Sequence, residues 1–159
     1  MIGNSVILDG PLAITGRRVF DAPPALVWEA FTDPKHLAQW WGPNGFSTTT
    51  RTFEFRAGGV WRFVMHGPDG RDYQNRITFD ELVKPERIVY RHGGGDDVEK
   101  ADHKTTVTFE DLDNKTKLTW RLEFSSAAER DRIIATYGAD KGLVQTMARL
   151  ADYVAGLAR

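Results

Sequence analysis

Cysteine is absent from the 159-residue sequence, which excludes disulfides, thiolate metal sites and a cysteine nucleophile and gives no sign of an oxidising compartment. Long apolar runs are absent as well. Asn4, Asp9, Gly10 and Pro11 interrupt the N-terminal stretch before it reaches signal-peptide length, and no later stretch is long enough to span a bilayer. A soluble, cytoplasmic protein with no membrane partner is expected. An excess of one charge is also lacking: 21 basic and 22 acidic residues interleave along the chain for a net charge of −1. Nucleic acid would want Lys and Arg gathered on one face, so no nucleic-acid partner is expected. Nor is there a Gly-x-Ser-x-Gly elbow, a phosphate loop or a dinucleotide fingerprint, and the reading assigns no catalytic residue, metal or cofactor.

What the sequence does have is aromatic side chains, five Trp and nine Phe, mostly at alternating positions or gathered in one turn. At this length the chain folds as one domain over residues 12–159, able to bury ~70% of its unfolded surface, after a loose lead-in at residues 1–11. Its organising stretch is the last. Leu143, Met147, Leu150, Val154 and Leu157 recur at spacings of four, three, four and three and share one helical face, while Gln145, Arg149 and Asp152 fall away from it. Ser126 and Glu129 have the spacing of a capping box. Gly138 and Gly142 predict a break near Tyr137 to Asp140, with Asp140 recapping the second part.

Between these ends the period is two. A first strand over Leu12 to Asp21 stops at Ala22-Pro23-Pro24, because proline cannot donate to a ladder. Two short helices follow, one begun by Pro24, the other capped by Asp33 and begun by Pro34. Then come runs with alternating large apolar residues: Phe53 and Phe55; Trp61, Phe63 and Met65; Tyr73, Asn75, Ile77 and Phe79; Ile88 and Tyr90; Val107 and Phe109; Leu118, Trp120, Leu122 and Phe124. Short turns join them, with His92 to Asp102 read as a polar loop. An antiparallel sheet of about six or seven strands results, and helices segregated to one of its faces make an α+β fold. The pair Arg17-Arg18 reads as a sheet edge.

The stretch Val19 to Gly42, Val-Phe-Asp-Ala-Pro-Pro-Ala-Leu-Val-Trp-Glu-Ala-Phe-Thr-Asp-Pro-Lys-His-Leu-Ala-Gln-Trp-Trp-Gly, resembles one family. Phe55-Arg56-Ala57-Gly58-Gly59-Val60-Trp61, Pro85-Glu86-Arg87-Ile88-Val89 and Gly142-Leu143 extend the match over most of the chain. These are similar to the bacterial homologues of the activator of the 90-kDa heat-shock chaperone ATPase, in the START-like or SRPBCC superfamily. The resemblance implies a helix-grip fold of the birch-pollen-allergen type, a curved sheet wrapped around the long C-terminal helix. It also implies a ligand cavity used for binding, transport or, in some members, catalysis.

On strand parity, the interior between sheet and helix is lined by Phe55, Trp61, Phe63, Met65, Ile77 and Phe79, then by Tyr90, Trp120 and Leu122. Met147, Leu150 and Val154 face them from the helix. A site of ~300–1,000 Å³ would suit a small apolar or amphipathic molecule, with Tyr73, Asn75 and Tyr90 as its polar anchors. Arg51 and His92 read as strand ends reaching solvent. Adjacent helical residues cannot both face one way, so of Trp40 and Trp41 one packs inward and one covers the rim; Trp41 is taken as the site residue. A metal cluster of His92, Asp96, Asp97 and His103 competes with a solvated loop, and the loop is preferred.

Three functions are carried forward. The first is a cavity domain, noncatalytic or nearly so, that binds a small apolar molecule. The second, implied by the resemblance alone, is a module with a heat-shock chaperone as partner; the match is to the C-terminal type of domain in the eukaryotic activator, whose activating motif lies in a separate N-terminal domain. The third is an enzyme of the polyketide cyclase or dehydratase kind, with Tyr73, Tyr90 and His92 for acid–base work. Either a monomer or a homodimer is compatible with the sequence.

Overall fold

The computed structural model describes residues 5–94 and 101–158. In chain order it has β1 (Ser5–Asp9), β2 (Ala13–Phe20), α1 (Pro24–Glu29), α2 (Pro34–Trp40), β3 (Ser47–Phe53) and β4 (Val60–His66). There follow β5 (Asp72–Val83), β6 (Arg87–Gly94), β7 (Ala101–Leu112), β8 (Lys115–Phe124), α3 (Ala127–Tyr137) and α4 (Ala139–Leu157). Among the described residues the strands form one antiparallel 8-stranded sheet in the order β1-β2-β8-β7-β6-β5-β4-β3. With α1, α2 and α4 on its inner side, this is the α+β helix-grip arrangement.

Local chemistry sets the element ends as the sequence indicates. Pro24 occupies the first turn of α1. Asp33 caps α2 by accepting the Lys35 N–H at 2.8 Å, and Ser126 caps α3 by accepting the Glu129 N–H at 3.0 Å. Gly138, at φ 63°, ends α3 in the left-handed conformation that glycine takes without strain. Two details of the helix reading are corrected. Gly138 itself, not Asp140, stands at the N-cap of α4, with Asp140 already inside the first turn, and α4 continues unbroken through Gly142.

The extra strand is β1, where the sequence offered a loose lead-in. Ser5–Asp9 pairs with β2 from Ser5 opposite Arg17 to Asp9 opposite Ala13. Backbone hydrogen bonds suffice for an edge strand, so its side chains need no alternation. Val6 packs against the core while Ile7 and Leu8 stay exposed. Thr15 fastens the pair by donating to Asp9 Oδ2 at 2.8 Å. Arg17 and Arg18 are therefore inside the sheet order, not at its edge. Arg130, buried on α3, closes the β1–β2 turn by donating to Gly10 O at 2.5 Å. β6 also runs further than expected: His92, Gly93 and Gly94 are strand, not loop.

The seam of α4 lies where the spacing puts it, with Leu143, Met147, Leu150 and Val154 buried. It presses on β2 at Gly16. A Cβ there would stand 2.8 Å from Met147 Sδ and 2.9 Å from Leu143 Cδ2, so the close approach requires glycine. No helix among the described residues is long and apolar enough to cross a membrane.

Candidate functional site

Residues in register share a face, so the inner surface of the sheet reads as rows. One row runs Ile14, Leu122, Thr105, Tyr90 and Phe79 across β2, β8, β7, β6 and β5. The next runs Phe124, His103, His92, Ile77 and Trp61 across β8, β7, β6, β5 and β4. Both rows are apolar at their ends and polar in the middle. A void of about 10 Å³, the room of one water molecule, lies between the sheet and the two short helices. Its walls are Phe31, Leu37, Trp41, Phe55, Trp61, Ile77, Phe79, Ile88 and Tyr90.

Trp41 closes this space. Trp40 and Trp41 are both buried, at 0% and 6% exposure, which corrects the expectation that one would cover the rim. The rule against adjacent helical residues facing one way does not reach them, because α2 ends at Trp40 and Trp41 is extended, at φ −65° and ψ 128°. Trp40 donates to Ala30 O at 3.0 Å. The Trp41 ring meets Trp61 edge-on at 4.8 Å and lies 5.7 Å from Trp120. Behind it, Arg149 Nη1 points at the carbonyl oxygens of Gly42 at 2.9 Å, Pro43 at 3.0 Å and Phe46 at 3.2 Å. Gln145 Oε1 accepts the Asn44 N–H at 3.0 Å. Sequence spacing places Gln145 and Arg149 off the seam, and off the seam they hold the turn that carries Trp41.

The polar middle is built from β5, β6 and β7. Asn75 Nδ2 donates to Tyr73 O at 3.0 Å, which turns Asn75 Oδ1 toward His92 Nε2, 2.9 Å away. His92 and His103 face each other with ring centroids 5.0 Å apart. His103 Nδ1 is sealed from solvent without a hydrogen-bond partner. Burial drives the His92 pKa down to about 4. Burial, and then the neighbouring His92, hold His103 well below the usual imidazole range. Burial pushes the Tyr90 phenol up, opposed in part by its hydrogen bonds with the Thr105 and Trp120 side chains. At neutral pH the cluster is thus uncharged, offering hydrogen bonds and no ready base.

Of the side chains read from parity, Trp41, Phe55, Trp61, Ile77, Phe79 and Tyr90 meet around the void. Phe63, Trp120, Met147, Leu150 and Val154 are packed core, Leu122 is half-buried beside Thr105, and Met65 sits under Gly42. Tyr73 is half-buried at one end, 6.0 Å from Phe46. Arg51 is exposed; a bulge between Thr50 and Thr52 shifts it out of register. His92 does not reach solvent as a strand end, because β6 continues past it and turns it inward. The sequence reading missed Thr105 and considered His103 only as a metal ligand, though their parity with Val107 and Phe109 was the available signal, and it missed Phe31, Leu37 and Ile88 as walls. Asp96 and Asp97 of the metal alternative lie outside the described residues; among those described, no group of three His, Asp or Glu could hold a metal. On the outer face, Thr49 Oγ1, His66 and Asp72 form a chain with distances of 2.8 and 2.7 Å. Thr49 and Asp72 are exposed, and the chain serves as a cross-strand clip.

The model of the family described as Activator of Hsp90 ATPase homolog 1-like protein matches residues 21–155. The chain belongs to this family. A solved relative of the activator-homologue chain, a protein from Arthrobacter aurescens, is 27% identical with a TM-score of 0.87, over 96% of this chain and 91% of that one. A protein from Chromobacterium violaceum is 30% identical with a TM-score of 0.79, over 91% and 97%. DynU16, a putative protein in the dynemicin biosynthetic locus, shares the fold at 22% identity and a TM-score of 0.65, over 89% of this chain and 46% of that one. No curated protein matches the activator-homologue sequence.

Proposed function

We propose that this activator-homologue domain binds a small, largely apolar molecule between its sheet and helices. One observation carries the reading: a sealed polar atom, His103 Nδ1, stands unpartnered on an inner face whose outer positions are apolar. Buried polar groups are almost always bonded, so a partner from outside the chain fits it. The ligand would occupy an enlarged form of the void of about 10 Å³ beside Tyr90. A ligand larger than water enters when the turn bearing Trp41 swings outward on Gly42 and Gly45, both in the left-handed region at φ 101° and 84°. The uncharged imidazoles suit binding better than proton transfer, which favours a carrier over a cyclase-like enzyme.

Native mass spectrometry of freshly purified protein, set against its denatured mass, tests this. Added mass released on denaturation is the expected result, and Ile88→Phe, which places a ring in the void, should abolish it. Apo protein that also takes up no apolar probe would overturn the reading. A second reading rests on the family match over residues 21–155: a chaperone-interacting module. Pull-down with the 90-kDa chaperone, with and without nucleotide, tests it, and absence of capture in both states removes it.

A further inference from the structure

The two edges of the sheet differ in how they meet solvent. At one end β3 is guarded: a bulge breaks its register between Thr50 and Thr52, the exposed Arg51 stands in that bulge, and Thr48 donates to Trp41 O at 3.3 Å in the turn after α2. Bulges and charges of this kind keep other strands away. At the other end β1 has none of these devices. Its five residues, Ser-Val-Ile-Leu-Asp, hold an unbroken register with β2 and include no Pro, Gly or Lys. No strand among the described residues pairs with their far side. Ile7 and Leu8 stand 46% and 55% exposed, one on each face of that edge.

An unguarded apolar edge is a template for another strand. The residues of β1 fit a second copy of themselves. Laid antiparallel about a twofold axis at Ile7, all five pair: Ile7 meets Ile7, Val6 meets Leu8, and Ser5 meets Asp9. The exposed Leu8 gains an apolar neighbour, and each Asp9 gains a hydroxyl. The next strand adds charge complementarity. Arg17 on β2 is in register with Ser5 and shares its face, so its backbone lies two strands, about 10 Å, from the partner copy's Asp9, a span the two side chains can close. The Asp9 side chain accepts from Thr15 and is still 42% exposed. The twofold axis makes this Arg–Asp approach twice. Free backbone groups accept any extended strand, whereas these side-chain matches select a second copy.

We propose that β1 is a self-association edge, where two copies pair antiparallel with Ile7 on the twofold axis and join their 8-stranded sheets into one. The interface is small, so a dissociation constant of roughly 100 μM is expected.

Sedimentation equilibrium, from roughly tenfold below that value to tenfold above it, is the test. Wild-type protein should pass from monomer to dimer. Ile7→Lys and Ile7→Glu each set like charges on the axis and should weaken association about tenfold or more, while their equimolar mixture, with opposite charges there, should associate again. Ile7 is exposed, so both variants should keep the wild-type circular dichroism spectrum. Because the chain has no cysteine, Ile7→Cys supplies a second measurement: mild oxidation should link two copies, and Arg51→Cys on the opposite edge should link far more slowly. Wild-type protein that stays monomeric throughout overturns the proposal and leaves the edge to a strand of another protein. A dimer that persists unweakened in Ile7→Lys, or a mixture of the two charged variants that stays monomeric, overturns the pairing at Ile7.

Discussion

Arg149 Nη1 of α4 stands 2.9 Å from the Gly42 carbonyl oxygen, across 107 residues of chain. This contact makes the Trp41 turn part of the helix surface. Burial lowers the Arg149 pKa, yet the guanidinium stays charged in any working range, so the tie is insensitive to pH. Arg149→Met should cost about 1–3 kcal/mol by chemical denaturation. It should also speed amide exchange at residues 42–46 and raise probe on-rates. Unchanged exchange in that segment would mean the turn is held by Trp41 packing alone.

Gly16→Ala should destabilise by about 1–3 kcal/mol, because its Cβ would meet Met147 Sδ at 2.8 Å. Combining it with Met147→Ala should give a total smaller than the sum of the single effects. Strict additivity in the double-mutant cycle would show that the helix had shifted instead.

The histidine pair predicts an acid-sensitive fold. Its folded pKa values lie below the unfolded value of about 6.5, with His92 at about 4 and His103 lowered also. The unfolded chain therefore binds more protons in this window. Stability should be full above pH ~6.5 and fall as pH drops toward 4, by at most ~1.4 kcal/mol per pH unit for each histidine. Denaturant midpoints at several pH values check this, and His103→Phe should flatten the curve. A slope unaltered by that change would assign the proton uptake elsewhere.

Tyr153 and His36 join α4 to α2 through a hydrogen bond of 2.5 Å between the hydroxyl and Nδ1. Burial, then Glu29 and Asp33, push the phenol pKa up, so it stays protonated. Tyr153→Phe should cost about 1 kcal/mol without changing probe affinity at equilibrium. An affinity change of tenfold would instead place Tyr153 in the entry path.

Much of the fold could be read from the chain because its signals are local. The caps at Asp33 and Ser126, the break at Gly138 and the alternation from Trp61 to Met65 depend on neighbours within a few residues. β1 could not be read this way, since an edge strand is defined by whom its backbone meets, and Ile7 and Leu8 carry no burial pattern. Parity likewise sent Tyr90 and Ile77 inward, yet the same rule applied to His92 was set aside because the length of β6 depends on its pairing with β7.

The sequence by itself determined the element order, the helical seam and the aromatic character of the interior, each a matter of period and turn chemistry. Only the tertiary structure decided that a void of about 10 Å³ lies among Trp41, Trp61 and Tyr90, that Arg149 pins the Trp41 turn, and that His92, His103 and Thr105 gather on one face. Those facts depend on register and on contacts between residues far apart in the chain, and a one-residue shift of β7 would turn His103 and Thr105 to the opposite face.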